Sequence, residues 1–162
     1  MKKSRKTSGI AVLLLFIFLI AFVPAPRAIA AGFSGECGKD GDNLTWSYSD
    51  GVLTINGAGE MADYEKGAPG FPWNDMSNVP WNNLSGMIER VELPEGLTSI
   101  GNRAFSGCDN LTSIELPDSL TSIGENVFDG CVYLTITVGH DSYAEQYFKD
   151  IGRRYQYRDN PA

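Results

Sequence analysis

The sequence is poor in cationic side chains once residues 1–30 are set aside. Five of the 13 Lys and Arg residues precede residue 31, whereas none of the 20 Asp and Glu residues does. Residues 31–162 therefore carry 8 basic and 20 acidic side chains, a net charge of −12. Nucleic acid and anionic lipid are bound by basic surfaces, so this composition argues against both as partners.

Histidine and recognised catalytic motifs are also scarce. The single His140 has no partner for a zinc site and no obvious nucleophile for a triad, so we interpret it as an exposed turn residue. Residues 40–43, Asp-Gly-Asp-Asn, lack the later ligands of a calcium loop, and no glycine-rich phosphate-binding motif occurs. The sequence therefore predicts no catalytic residue, no metal ligand and no cofactor, and we expect a protein that is not an enzyme.

Long apolar runs are absent except for one stretch near the N-terminus. Residues 10–23 contain no charge, a basic segment precedes them at 2–6, and Ala-Ile-Ala follows at 28–30. This stretch is too short to span a bilayer as a helix, which takes about 20 residues. We predict that residues 1–30 are a cleaved secretory signal peptide and that the rest is extracellular. An uncleaved membrane anchor is the alternative.

The sequence does contain a tandem repeat. Residues 88–110 read IERVELPEGLTSIGNRAFSGCDN, and residues 111–133 read LTSIELPDSLTSIGENVFDGCVY. A third copy begins at Leu134 and then departs from the pattern. A period of about 20–29 residues with an LxxLxL-like segment is the sequence signature of a leucine-rich repeat.

Each repeat predicts one coil of a solenoid. In Ile114-Glu115-Leu116 apolar and polar residues alternate, as in a strand with one buried face, and Pro117 cannot continue a strand ladder. We expect the later apolar residues of each repeat to turn inward, and Gly124 and Gly130 to allow backbone turns. Because one coil leaves its apolar top and bottom bare, neighbouring coils or caps must cover it.

The phrase LPxxLTSIGxxAFxGCxxL, carried by residues 88–134, resembles the BspA-type leucine-rich repeat family of bacterial surface and secreted proteins. The resemblance implies a right-handed solenoid with a parallel sheet on its concave side and little helix. It also implies adhesion or protein recognition rather than catalysis. The predicted fold class is therefore mainly β, a short leucine-rich-repeat solenoid with an N-terminal β-hairpin cap and a C-terminal cap that contains one short helix.

Two of the three cysteines belong to the repeat. Cys108 and Cys131 occupy equivalent positions of the two copies, so stacked coils would place one above the other. Buried thiols are the simpler interpretation, although strand spacing also lies within the range that a disulfide tolerates. Cys37 has no explanation at this stage.

Both flanks of the repeat predict caps. In the N-terminal capping region, residues 31–87, alternating residues at 43–48 and 52–55 flank a Ser-Asp-Gly turn and indicate a hairpin. The C-terminal cap, residues 135–162, contains the capping box Ser142-x-x-Glu145. We predict that a short helix begins there and ends at Gly152, and that a short strand follows it at residues 155–157. The inward face of this helix is expected to comprise Ala144, Tyr147, Phe148 and Ile151.

Two surfaces are candidates for ligand binding. The first is the outward face of the repeat strands, where the candidate residues are Arg90, Glu92, Ser113 and Glu115. A solvated polar face is the alternative interpretation of this set. The second is an aromatic loop that could stack on sugars or form a protein contact, and its candidates are Tyr64, Phe71, Trp73 and Trp81. Packing over the end of the solenoid is the alternative for these.

We predict a secreted, non-enzymatic binding module that recognises a protein or cell-surface ligand at a bacterial or host surface. A carbohydrate-binding module that uses the aromatic loop is the first alternative. The second is a truncated repeat protein with little activity of its own, because so few coils offer only a small face. An enzyme would instead require a deep pocket lined by paired carboxylates.

Overall fold

Residues 32–64 and 78–158 are described by the computed structural model of this protein. The predicted signal peptide at residues 1–30, both Phe71 and Trp73, and residues 159–162 lie outside these ranges. Within the described ranges the chain is mainly strand, with one α-helix and one 3-10 helix at Asn82–Met87. The strands and the α-helix are β1 Phe33–Gly38, β2 Gly41–Ser49, β3 Val52–Gly57, β4 Gly59–Glu60, β5 Arg90–Glu92, β6 Leu97–Ile100, β7 Ser113–Glu115, β8 Ser122–Ile123, β9 Thr135–Val138, α1 Tyr143–Asp150 and β10 Gln156–Tyr157.

The described strands form two sheets that run along the solenoid. The larger sheet has seven strands in the order β1-β2-β3-β5-β7-β9-β10, and the smaller has three in the order β4-β6-β8. Strands β1 to β3 pair antiparallel, and every later pair is parallel. The predicted hairpin at β2 and β3 and the predicted parallel sheet are confirmed, whereas β1 was not anticipated.

Coil stacking begins before the repeat that is visible in the sequence. Val52 of β3 pairs with Arg90 of β5 in parallel, and β4 pairs with β6 in the same way. The paired residues Val52 and Arg90 are farther apart in the chain than the next pair along the sheet, Arg90 and Ser113. More residues therefore separate β3 from β5 than separate β5 from β7, and the extra length of this first coil hides the repeat period in the sequence.

A column of aromatic rings runs through the core. Phe105 and Phe128, equivalent residues of the two repeats, stack with ring centroids 5.9 Å apart. Trp81 of the first coil stacks on Phe105 at 5.8 Å and donates from Nε1 to the carbonyl oxygen of Ala104 at 2.9 Å. Phe148 of α1 contacts Phe128 at the other end, at 6.3 Å. One large ring from each coil thus fills the interior, and the buried indole N–H is satisfied.

Glycine in the repeat allows close stacking of the coils. A Cβ on Gly101 would lie 1.7 Å from the carbonyl oxygen of Ala62, and one on Gly124 would lie 2.6 Å from the backbone nitrogen of Asn102. The expectation that Gly124 serves a backbone turn is wrong, because its φ is not positive and the constraint is the neighbouring coil. Gly107 and Gly130, at φ values of 77° and 82°, do occupy turns that favour glycine.

Polar side chains link successive coils on the outside of these turns. Asp63 Oδ1 accepts a hydrogen bond from the backbone N–H of Asn102 at 2.8 Å, and Asn102 Oδ1 accepts one from the N–H of Glu125 at 2.7 Å. Each side chain satisfies a donor of the following coil, so the ladder fixes the stacking register as well as capping the turn.

All three cysteines are free and buried. Burial raises the pKa of Cys108 to about 12 and that of Cys131 to about 11. The thiol of Cys131 donates to the carbonyl oxygen of Phe105 at 3.1 Å. Cys37 lies on the inward face of β1, and burial raises its pKa to about 12. The cysteines therefore act as small apolar core residues.

The C-terminal cap has the predicted form with one difference. Ser142 Oγ accepts from the N–H of Glu145 at 3.1 Å, and β10 pairs parallel with β9. Gly152, at φ 67°, ends α1, with its N–H donating to the carbonyl oxygen of Lys149 at 3.2 Å. The prediction that Ile151 faces inward is wrong, because α1 ends at Asp150 and Ile151 is 55% exposed.

Candidate binding surface

The outer face of the seven-stranded sheet is a polar surface. Side chains alternate between the two faces of a strand, and those on the inner face, such as Val91, Ile114 and Ile136, belong to the core. Strand pairing aligns the outward residues in rows across the sheet. One such row, read from β3 to β10, comprises Thr54, Glu92, Glu115, Thr137 and Gln156.

The four sequence-predicted residues of this face lie together. Arg90 pairs with Ser113, and continuing that register along the strands places Glu92 beside Glu115. Arg90, Glu92 and Glu115 are exposed, and Ser113 is half-buried. All four line a single groove of about 420 Å³. The side chains of Leu93, Glu95, Pro117 and Thr137 complete the lining together with the strand residues Val91 and Ile114.

Two arginines pair with the carboxylates in and beside this groove. Arg90 Nη2 contacts Glu92 Oε1 at 2.6 Å, and Thr54 Oγ1 donates to Glu92 Oε2 at 3.4 Å. Arg158 forms an ion pair with Glu115 and a second one with Asp118 at 3.3 Å. The Nη2 of Arg158 also donates to the carbonyl oxygen of Leu116 at 2.9 Å, which holds the guanidinium against the edge of the groove.

Sequence reasoning missed Glu95 and Arg158. The position of Glu95 could have been found, because Glu95 and Asp118 occupy equivalent positions of the two repeats and form a second acidic column beside Glu92 and Glu115. Arg158 lies outside the repeat, and its contact with Leu116 joins two residues far apart in the chain. No local pattern indicates such a contact.

Of the four aromatic candidates for a binding surface, the structure describes Tyr64 and Trp81. Trp81 is 1% exposed and Tyr64 is 4% exposed, and their rings meet edge to face at 5.7 Å. Tyr64 Oη donates to the carbonyl oxygen of Cys37 at 3.4 Å. Both residues therefore pack in the core, where a sugar cannot stack on them. Phe71 and Trp73 lie outside the described residues.

The single histidine of the sequence lies in the described part of the chain. His140 is exposed in a turn, as predicted, and its ring stacks on Tyr157 at a centroid distance of 3.8 Å. No group of three His, Cys, Asp or Glu residues within 32–64 and 78–158 could hold a metal ion. Among these same residues, no helix has the length and apolar character needed to cross a bilayer.

Comparisons with known proteins point to the repeat. The model of the family described as "BspA type Leucine rich repeat region (6 copies)" matches residues 81–151. The structure is similar to the crystal structure of a leucine-rich repeat protein from Eubacterium ventriosum, with a TM-score of 0.55 and 29% identity. The match covers 67% of this chain and 26% of that one, so the chain spans about a quarter of that protein's length. No curated protein matches the sequence.

Proposed function

We propose that this protein is a recognition module that binds a partner protein through the groove on its seven-stranded sheet, because the model of the BspA-type leucine-rich repeat family matches residues 81–151. Leucine-rich repeat domains typically bind proteins, and the repeat family is generally non-enzymatic. The observation that carries the proposal is the convergence of Arg90, Glu92, Ser113 and Glu115 on one groove.

The lining of the groove favours a protein ligand over a sugar. Charged groups and hydroxyls lie beside the apolar side chains of Leu93 and Pro117, the mixture that is found in protein interfaces. No aromatic residue of the described ranges lines the groove, so these ranges offer no ring there on which a sugar could stack.

We place the proposed activity outside the cell, in adhesion or recognition at a bacterial or host surface. The basic and apolar segments before residue 31 support export, as does the family, whose members are often secreted or surface proteins. The acidic balance of residues 31–162 suits a protein that stays free of anionic surfaces.

The small number of coils limits the contact that one molecule can make. A standard protein interface buries about 800 Å² on each partner, and this chain offers about a quarter of the length of the solved relative. We therefore propose that one copy binds its partner weakly, and that several copies bound to one surface together bind it with higher apparent affinity. A truncated repeat protein without a ligand is the competing case, and the absence of any surface binding would support it.

A steric block of the groove tests the proposal. Fluorescently labelled residues 31–162 are applied as multivalent beads to bacterial and host cells, and bound fluorescence is measured by flow cytometry. We expect Ser113→Trp to abolish binding, because the indole fills the floor of the groove. Ser122→Trp is the matched control, since Ser122 is exposed on the smaller sheet. Equal binding by both variants would overturn the proposal.

A glycan array with the same protein tests the carbohydrate alternative. Specific sugar binding that is lost in Trp73→Ala and kept in Ser113→Trp would favour the aromatic loop over the groove. Circular dichroism of each variant establishes that loss of binding does not reflect loss of folding.

A further inference from the structure

The lining of the groove includes two glutamates at neighbouring positions of adjacent strands. Glu92 and Glu115 occupy the same row of β5 and β7, and neighbouring strands are about 4.8 Å apart. Like charges in directly opposite positions destabilise a sheet. A cation placed between the two carboxylates would remove this repulsion and interact with both.

Two arginines form ion pairs with these carboxylates. Arg90 pairs with Glu92 from within the same strand, and Arg158 pairs with Glu115 from beyond β9. Among the described residues, no ion pair bridges Glu92 and Glu115, and Glu95 forms none at all. Each carboxylate therefore has its own arginine, and no described cation joins the two carboxylates to each other.

The charge of the groove selects the sign of its ligand. Three exposed glutamates and Arg90 line it, and Arg158 at its edge pairs with Glu115, so these five side chains together carry one net negative charge. The excess of acidic residues over the whole of residues 31–162 adds a long-range field of the same sign. The groove and the net charge of the whole protein would both repel an anionic partner, whereas both would attract a cationic partner toward the groove.

The shape and lining of the groove indicate which kind of cation it would bind. The described residues contain no cluster that could hold a metal ion, so the carboxylates are not arranged as an inner coordination shell. Leu93, which is half-buried, adds apolar surface beside the carboxylates. An extended peptide fits both features, because its side chains alternate in direction and can present basic groups together with apolar contacts.

We infer that the groove binds an extended, lysine- or arginine-bearing segment of a partner protein, with one basic side chain seated between Glu92 and Glu115. The inference rests on the proposed function and specifies the chemistry of the partner. It requires that binding fall with ionic strength, because exposed charges are screened within about 8 Å at physiological salt.

Fluorescence anisotropy with synthetic peptides tests the inference. The probes are a labelled octapeptide of alternating Lys and Leu and its Glu-Leu counterpart, each titrated with residues 31–162 at about 20 mM and about 200 mM salt. We expect the protein to bind the Lys peptide at low salt, to bind it more weakly at high salt, and to leave the Glu peptide free. Absence of Lys-peptide binding at low salt would overturn the inference.

Matched substitutions separate the groove from the general acidity of the protein. We expect the double variant Glu92→Gln with Glu115→Gln to weaken Lys-peptide binding by about fivefold, as the loss of two exposed charge contacts allows. Glu36→Gln is the control, because Glu36 is exposed on the same sheet three strands away from β5. If Glu36→Gln weakened peptide binding equally, the effect would be due to the net charge of the protein, and the inference would be overturned.

The two proposals fail in different ways. If Ser113→Trp abolishes cell binding while the double glutamine variant binds cells as the parent does, the groove is a recognition site and the cationic ligand is wrong. If neither substitution alters cell binding, both proposals fall. Competition by spermine as strong as that by the Lys peptide would show that charge alone suffices, and would overturn the extended peptide as the ligand.

Discussion

Gly101 shows how closely one coil stacks on the next. Its missing Cβ leaves room for the carbonyl oxygen of Ala62, and Gly124 gives the same room to the backbone of Asn102. Beside these contacts, the side chains of Asp63 and Asn102 cap donors of the following coil. Contacts with the preceding coil therefore restrict which residue type can occupy a repeat position as much as the local backbone conformation does.

Gly101→Ala is expected to destabilise the protein by about 3 kcal/mol, at the upper end of overpacking effects, because backbone atoms cannot move aside as a flexible side chain can. Gly86→Ala is the matched control, since a Cβ there meets nothing within 4 Å and φ is not positive. Urea unfolding followed by circular dichroism measures both. A Gly101→Ala variant as stable as Gly86→Ala would show that the coils separate at little cost.

Among the secondary-structure elements, α1 closes the end of the solenoid and is held to the neighbouring strand by Glu145. Glu145 lies at the first turn of this helix and is buried. Hydrogen bonds from Lys149 and Tyr157 lower the pKa of Glu145 to about 2, and a backbone N–H from Asp141 adds to them. The ionised carboxylate thus joins the helix to β10, which places the last strand of the large sheet.

The pH dependence of stability follows from this lowered pKa. An unfolded Glu titrates near 4.3, so Glu145 stabilises the fold at pH values above about 4.3, and this contribution is lost as the pH falls toward 2. Glu145→Gln should therefore lower the Tm at pH 7, and the difference from the parent should shrink between pH 4 and pH 2.

Thermal melts across this pH range measure the effect. Glu125→Gln serves as the control, because Glu125 is exposed and its side chain forms no ion pair among the described residues. A Tm difference between Glu145→Gln and the parent that stays constant from pH 7 to pH 2 would contradict the assigned role.

At the scale of the whole molecule, the two visible repeats depend on cover at both ends. β1 to β3 and Trp81 cover one end of the aromatic column, and Phe148 of α1 covers the other. Such a short array has no surplus of internal coils that could stay folded when an end is lost. Folding of the repeats is therefore expected to require both flanks.

Removal of the C-terminal cap tests this dependence. Residues 31–134 alone are expected to lack a cooperative thermal transition, and the milder substitution Phe148→Ala is expected to cost about 3–5 kcal/mol, a large part of the stability of a small domain. Circular dichroism and scanning calorimetry measure both. A truncated chain that melts cooperatively near the Tm of the parent would show that the repeats stand alone.

Local and periodic features were predictable from the sequence. Alternation and the repeat period predict β5 and β7, the outward set around Glu92 and Glu115, and the hairpin of β2 and β3. The capping box and Gly152 predict the helix of the C-terminal cap. Each of these depends on residues close in the chain or one repeat apart, so spacing alone carries the information.

The sequence by itself therefore determined the repeat, the strand faces and the short capping helix. Only the tertiary structure decided that Trp81 and Tyr64 pack inside, that Arg158 pairs with Glu115 at the edge of the groove, and that Gly101 must lack a Cβ to fit against the neighbouring coil. Those outcomes depend on pairs such as Leu116 and Arg158, which no period relates. Contacts of this kind exist only after the coils have stacked.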